Sequence, residues 1–510
     1  MIASGEKKSW EPKTQVEVLE ESVNEFKDKV AIDYFGTKVT FEQLGIMVNS
    51  VASQLSEYVK KGDVVILSTQ NVPQFIIVEY AIWKLGGIVL PINPSYTENE
   101  LKYLISDSNT KIAIASCESK LKNLIQTITT NPNTFHEIPS EYREKWRIID
   151  DCEEELNLKS SKRIYSDARL GVNDLALLVY TSGTTGRPKG VPITHSNIYA
   201  SSYIYREWFR FNENDRVLGI APFFHITGQI FHITTSILSG SSIHTSFRFD
   251  PDLSLGTVEE SKTTLTMAVA TAYMAMLNAL DKQDLSSMRL WSSGGMAMPK
   301  AIEEEWRKRV GDWIYMAWGL TETTSPATLW PYPYDGNLPV EQEYGIVSSG
   351  VPVYNTEVMI GEDGEILVRG PQVVKGYWKI GEFKDGWLPT GDIGKIVNGW
   401  VYIIDRKKDI INASGFKVMP REVEEVLYQH YAVDEAVVVG VPDEYRGESV
   451  VAYVKLKREY SPSEALAEDI IKYCRLHLAS YKVPRQIRFV NDIPKTPSGK
   501  IMRRAFRGEM

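Results

Sequence analysis

No run in this chain is both apolar enough and long enough to cross a bilayer. The most apolar stretch, Phe75 to Leu90, is broken by Glu79, Lys84, Gly86 and Gly87, whereas a spanning helix needs about 20 apolar residues. The opening segment, Met1 to Lys13, is polar and charged and lacks the apolar centre of a secretory leader. The closing Arg507-Gly508-Glu509-Met510 is neither a Ser-Lys-Leu peroxisomal address nor a prenylation site. Cysteine is scarce. Cys117, Cys152 and Cys474 are scattered, with neither a metal-binding spacing nor a disulfide framework. That usage points to a reducing compartment, so the cytoplasm is the expected location. Positive charge is not in excess: 57 Lys and Arg stand against 66 Asp and Glu, a net −9. A nucleic-acid-binding surface is therefore not expected. Self-association stays open as a possible homo-oligomer.

What is present is a long chain with a regular texture. Its 510 residues exceed one ordinary core, so two or more domains are expected. Glu11 to Gln54 reads as helices around a hairpin at Ala31 to Thr40. Val64 to Ser68 reads as a strand, Pro73 to Leu85 as a helix, Ile88 to Ile92 as a strand, Glu98 to Ser106 as a helix and Ile112 to Ala115 as a strand. This alternation predicts a doubly wound α/β fold. Lys120 to Ser166 shows little periodicity and reads as loop with short helices. Further strands are expected at Arg216–Ile220, Thr263–Ala270, Met288–Ser292 and Trp313–Met316, with a charged, solvent-facing helix at Ile302–Arg309. From Tyr344 the texture becomes that of a small antiparallel β unit, with a hairpin at Val358 to Val368. The expected division is 1–404 for a large N-terminal domain and 405–510 for a smaller α+β domain. The latter should hold helices at Pro420–Tyr428 and Ser463–Leu478 and a strand pair at Ala436–Val441 and Ser449–Leu456.

The central feature is Tyr180-Thr181-Ser182-Gly183-Thr184-Thr185-Gly186-Arg187-Pro188-Lys189-Gly190-Val191. It lies between two short strand-like runs, and a helix at Asn197–Trp208 follows, with Ser196 as its expected N-cap. Glycines allow close backbone approach, hydroxyls and N–H groups can surround phosphate oxygens, and one lysine supplies charge. It is not a Walker A loop, because Pro188-Lys189-Gly190 stands where Gly-Lys-Ser/Thr is needed. A Ser/Thr/Gly tract taken alone is only a polar turn.

Read whole, the stretch resembles the signature phosphate loop of the acyl-adenylate-forming enzymes, which include acyl-CoA synthetases, aryl-CoA ligases, peptide-synthetase adenylation domains and beetle luciferases. The resemblance recurs from about Asn71 to the C-terminus. It implies nucleotide contacts from Thr181, Ser182, Gly183, Thr184 and Thr185, with Thr184 also near a metal. Ser293-Gly294-Gly295-Met296-Ala297-Met298 is similar to the family's glycine-rich strand end, placing Gly295, Met296 and Ala297 by the nucleotide and Gly294 by the acid. In Ala317-Trp318-Gly319-Leu320-Thr321-Glu322-Thr323, the resemblance puts Trp318 on adenine, Thr321 at the α-phosphate and Glu322 on Mg²⁺. Asp392 would hold the ribose hydroxyls, Arg406 would reach the ribose, and Lys408 would be a hinge. Gly415 and Lys417 would turn in for the thiol step, although many relatives carry Arg or Gln at the latter. Lys500, in Pro494-Lys495-Thr496-Pro497-Ser498-Gly499-Lys500, matches the lysine that a mobile C-terminal domain delivers to the reacting groups.

The resemblance implies an ATP-dependent, Mg²⁺-assisted acyl-CoA synthetase, with Lys189, Thr321, Glu322 and Lys500 as its catalytic set and a small carboxylic acid, ATP and coenzyme A as its partners. Phe224, His225, Gly228, Gly294 and Gly319 would shape the acyl pocket. His225 is read as packing there rather than as a base. Gly319 stands where acetate-activating relatives carry a tryptophan, which implies room for a medium or long acyl chain. An aryl- or hydroxyacyl-CoA ligase is the alternative within the family, and a non-catalytic acyl or ATP sensor the alternative outside enzymes.

Overall fold

The computed structural model describes residues 2–148, 152–159, 169–181, 188–413, 415–443, 447–496 and 498–507. Its first parallel sheet has six strands. Val64–Ser68 lies between Ile88–Pro91 and Ile112–Ser116, with Gln126–Thr130 at one edge and the antiparallel pair Leu175–Thr181 and Lys189–Thr194 at the other. Both faces are covered, and alternate residues separate cleanly. Val65 and Leu67 join Phe75 and Ile76 in the large central core, while Val64 and Ile66 join Leu101 and Leu104 beneath the other face. Two-sided burial explains why these strands read as unbroken apolar runs.

A second sheet of nine strands is parallel through its middle. It carries Arg216–Leu218, Ser242–Thr245, Leu265–Ala268, Leu290–Ser293 and Ile314–Trp318, with the early hairpin Val30–Tyr34 and Thr37–Thr40 at one edge. A five-stranded antiparallel sheet holds Glu357–Ile360, Glu365–Arg369, Leu388–Val397 and Trp400–Arg406, and Ile2–Ser4 pairs on its edge. Beyond Ile411 the chain builds a separate core. The strands Val433–Asp443 and Gly447–Leu456 pack with the helices Pro420–Tyr428 and Glu464–His477 around Val423, Leu427, Ile470 and Cys474.

Several expectations change. The stretch after Lys120 contains the edge strand Gln126–Thr130, whose threonine-rich sequence alternates too weakly to announce it. Cys117 and Cys152 form a disulfide with Cα atoms 5.8 Å apart. They lie 35 residues apart in sequence, and the fold brings them together, so spacing gave no sign of it. The cysteine count is therefore silent on compartment. The helix after the phosphate loop runs His195–Trp208 and is capped by Thr194, not Ser196. Thr194 Oγ1 accepts from Asn197 N at 3.1 Å, and Asn197 Oδ1 accepts from Thr194 N at 3.1 Å, a reciprocal capping box. The helix Lys300–Val310 is charged outside yet buries Trp306 and Glu303. Among the described residues, no helix is long and apolar enough to cross a membrane.

Asp215, buried at the start of the Arg216–Leu218 strand, accepts from Arg289 Nε at 2.9 Å and from its terminal nitrogen at 2.6 Å. The same guanidinium donates to the carbonyls of Phe209 and Arg210. Arg289→Ala leaves a buried carboxylate without its cation. It is expected to cost about 3 kcal/mol, seen as a lower urea midpoint, and Asp215→Asn added to it should restore part of the loss.

Candidate functional site

The site forms where the second parallel sheet, the antiparallel sheet and the C-terminal core meet. Three strand ends of the second sheet supply it: Leu218, leading to Ala221-Pro222-Phe223-Phe224-His225; Ser293, leading to Gly294-Gly295; and Trp318, leading to Gly319–Glu322. This is the carboxyl edge of a parallel sheet, where open α/β folds place their ligands. Asn71 fixes the first of these ends. Its Nδ2 donates to Ala221 O at 2.9 Å, and its Oδ1 accepts from Phe223 N at 2.8 Å. Gly228 begins a seven-residue π-helix to Thr234, a rare form that recurs at functional sites. A Cβ on Gly228 would lie 2.1 Å from Pro222 O, so only glycine permits this packing.

These elements border a partly open cavity, lined by residues that include Tyr205, His225, Met267, Gly294, Gly295, Trp318, Gly319, Thr321, Ser325 and Lys500. Seven sequence-predicted residues therefore share one cavity wall. Phe224, Gly228, Met296 and Ala297 are not part of that wall: Phe224 and Met296 are half-buried, Gly228 is buried and Ala297 exposed. Ser182, Gly183, Thr184 and Thr185 lie outside the described residues. Their flanks pair antiparallel, with Thr181 opposite Lys189 in the hairpin register. Gly415, Lys417 and Lys408 are exposed and away from the cavity, the first with a left-handed φ of 84°.

Lys500 comes from the second core. Thr271 Oγ1 donates to Gly499 O at 2.8 Å, and Lys500 N donates to Thr496 Oγ1 at 3.1 Å. Gly499 has φ 85° and lies against Val269, so a side chain there would hold the loop away. A second clasp joins the bodies: Glu425 Oε2 accepts from Lys300 N at 3.0 Å, at the amino end of the helix Lys300–Val310. Burial lowers the Lys500 ammonium to about 8. Arg406 pushes the same way, while Asp392 and Glu322 pull it back up.

Two polar clusters flank the ammonium. Asp392 is buried, accepting from Arg406 Nε at 2.6 Å and from Trp318 Nε1 at 3.0 Å. The indole plane of Trp318 is thus fixed by the carboxylate, and Asp392 and Arg406 hold each other across neighbouring strands. Burial raises the Asp392 carboxyl, and Arg406 opposes that. In the other cluster Tyr377 donates its hydroxyl to Glu322 Oε1 at 2.9 Å, while Lys189 Nζ lies 4.7 Å from the centre of the same ring. Tyr377 was missed from sequence, because an aromatic in Gly376-Tyr377-Trp378 carries no signal of a partner 55 residues away. Among the described residues no group of three or more His, Cys, Asp or Glu gathers as a metal site. Glu322 can offer one carboxylate. That suits Mg²⁺, which keeps waters and uses one or two carboxylates together with substrate phosphates.

His225 is held neutral, since burial lowers it to about 3 with Lys500 adding to the effect. Its Nδ1 accepts from Thr227 N at 3.3 Å, which leaves Nε2 with the proton. It is a donor, not a base. Gly319 requires a correction. It lines the cavity, but the absent side chain leaves no room for an acyl chain: a Cβ there would fall 1.5 Å from Ser325 O. Glycine is needed because the Thr324–Ser325 turn folds back over it, with φ of 48° and 95° at the two residues. Tyr205, Met267 and Ser325 line the same cavity.

The electrostatic reading has a direct check. With labelled lysine ε-nitrogens, one ammonium is expected to titrate near pH 8 and to vanish in Lys500→Arg. Asp392→Asn removes an anion and should lower that midpoint; Arg406→Gln removes a cation and should raise it.

Residues 19–378 match the family model described as AMP-binding enzyme, and 422–500 match that of the AMP-binding enzyme C-terminal domain. A long-chain-fatty-acid–CoA ligase of Bacillus subtilis is 35% identical, over 96% of this chain and 94% of that protein. A 2-succinylbenzoate–CoA ligase of a Geobacillus species is 32% identical, over 93% of this chain and 94% of that protein. The solved structure of the o-succinylbenzoate coenzyme A synthetase MenE of Bacillus subtilis, in complex with ATP and magnesium ion, superposes with a TM-score of 0.80. It is 28% identical, covering 97% of this chain and 99% of that one. With both family models matched and similarity running nearly end to end, this chain belongs to the AMP-binding enzyme family, in its acyl-CoA ligase branch.

Proposed function

We propose that the chain is an AMP-forming acid–thiol ligase that activates a carboxylic acid with ATP and passes the acyl group to coenzyme A. The observation that carries this reading is Lys500, brought from a separate core into the cavity between Asp392, Arg406 and Glu322. A carboxylate and a triphosphate repel each other. Lys500, Lys189 and Arg406 supply fixed positive charge where they meet, in a site that needs no reorganisation to provide it. In the first step a carboxylate oxygen attacks the α-phosphorus, the bond to pyrophosphate breaks, and acyl-AMP forms. In the second the thiol sulfur attacks the acyl carbon, its proton passes to solvent, and AMP leaves. No covalent enzyme intermediate is required.

Each residue takes a role from its place. Trp318, held by Asp392, offers a flat face to adenine. Asp392 and Arg406 exchange their mutual contact for the ribose hydroxyls. His225 donates its Nε2 proton toward the acid. Glu322, with Thr184 of the phosphate loop, would hold Mg²⁺, which neutralises phosphate charge when bound. The loop at Gly415 and Lys417 serves the thiol step once the second domain, taken as residues 405–510, turns about Lys408.

The relatives differ on the acid, being named for long-chain fatty acids and for 2-succinylbenzoate. The polar side chains on the cavity wall, Tyr205, His225 and Ser325, support a polar acid of the aryl or hydroxy type. A medium- or long-chain substrate is the second reading, favoured by the name of the Bacillus subtilis relative. A panel of straight-chain, aryl and hydroxy acids assayed for coenzyme-A-dependent AMP release separates the two.

Lys500→Ala should abolish acid-dependent ATP–pyrophosphate exchange, yet leave thioester formation from supplied acyl-AMP within a few-fold of the parent. Equal loss of both steps would refute the delivery of Lys500 for adenylation alone. Because the ammonium must be charged, kcat/KM for adenylation should fall as pH rises through about 8. Lys500→Arg should flatten that limb. Glu322→Gln should weaken the dependence of adenylation on Mg²⁺ by tenfold or more, read from a titration of the metal at fixed ATP.

A further inference from the structure

The cavity wall carries two hydroxyls, those of Tyr205 and Ser325, where a purely aliphatic substrate would call for apolar neighbours. Tyr205 lies on the helix His195–Trp208 and is 1% exposed, with its ring stacked against Phe209. Its hydroxyl is 2.9 Å from Ser325 Oγ, on the strained turn that closes over Gly319. Between them the two residues own two hydroxyl hydrogens, and their mutual bond uses one. The other is donated by Tyr205 to the thioether of Met267, a weak acceptor 3.6 Å from its oxygen, beside the cavity that both residues line. Burial raises the Tyr205 phenol, so it stays neutral and keeps its proton. The end near Lys500 is also polar, through the Nε2 proton of His225.

From this geometry we infer that Tyr205 and Ser325 are specificity-determining residues that select an acid bearing an oxygen at its far end, such as a hydroxy acid. The inference rests on the acyl-CoA ligase reading and names the substrate class of that same site. The physical ground is asymmetric. An aliphatic end pressed against the pair leaves a buried hydroxyl hydrogen with no better partner than sulfur, and sites built to bond a substrate hydroxyl reject the analogue lacking it far more strongly than apolar pockets reject an extra one. A terminal oxygen on the acid is a better acceptor than the Met267 sulfur for that hydrogen, and its own hydroxyl can donate back to the oxygen of the pair. Tyr205→Phe removes only the hydroxyl, because the ring keeps its stacking partners Phe209 and Phe231.

The test uses the full-length enzyme with unbranched acids of two to eight carbons, each with and without a terminal hydroxyl. The readout is kcat/KM for coenzyme-A-dependent AMP release. At the best-fitting length the hydroxylated acid should be preferred by tenfold or more. Tyr205→Phe and Ser325→Ala should each cut that ratio about tenfold, with thermal unfolding confirming that both variants are folded. Preference for the plain acid at every length overturns the inference while leaving the ligase reading standing. So does an equal fall for both members of each pair in the two variants, which would mark Tyr205 as packing only. Failure of all these acids overturns the inference, and the ligase reading falls with it only if long-chain fatty acids and aryl acids also release no AMP.

Discussion

An ammonium buried beside a guanidinium is an unfavourable arrangement, and the site is built around it. Lys500 and Arg406 repel across a region that has little water to screen them. Asp392 and Glu322 offset part of that repulsion, and each is itself restrained: Asp392 by Trp318 and Arg406, Glu322 by Tyr377. The sheet ends, the glycine turns and the docking of the second core all serve to hold these few charges at fixed separations. Loss of any one alters the balance of the rest.

The loop that carries Lys500 is supported mainly by backbone contacts. Gly499 O accepts from Thr271, the chain turns through a left-handed glycine, and Lys500 N binds Thr496. The core behind it is independent, with its own apolar cluster and none of the residues of the first. Several of the contacts that join the bodies are polar, among them the Gly499 contact and the Glu425 carboxylate at the helix start of Lys300. Polar contacts of this kind exchange with water at small net cost. That is compatible with one body moving against the other while each keeps its interior.

The parts legible in the sequence were those written in local chemistry. The strands from Val64 to Ser116 stood out because two-sided burial makes continuous apolar runs. The helix Pro420–Tyr428 was exact because Pro420 opens it. The cavity residues Gly294, Trp318, Thr321 and Lys500 were found through motifs rather than periodicity. What escaped was set by distant partners. The disulfide depends on how the edge strand Gln126–Thr130 is laid down, and the Tyr377–Glu322 bond and the Tyr205–Ser325 pair join segments with no common pattern. Gly319 was recognised as special for a reason the structure replaces: a sequence shows that a side chain is missing but not what occupies the space.

The turn over Gly319 has a consequence for how such a pocket could diverge. One side of the cavity is main chain, with Ser325 O pressed on Gly319 and left-handed torsions at Thr324 and Ser325. Few residue types tolerate that backbone, so this side offers selection little to vary. The opposite side is helix and strand, where Tyr205 and Met267 project from regular backbone that accepts many side chains. Change in the acid accepted should therefore accumulate on the helix and strand side, while the turn persists as a fixed template. Laboratory libraries aimed at new acids have the same asymmetry to exploit.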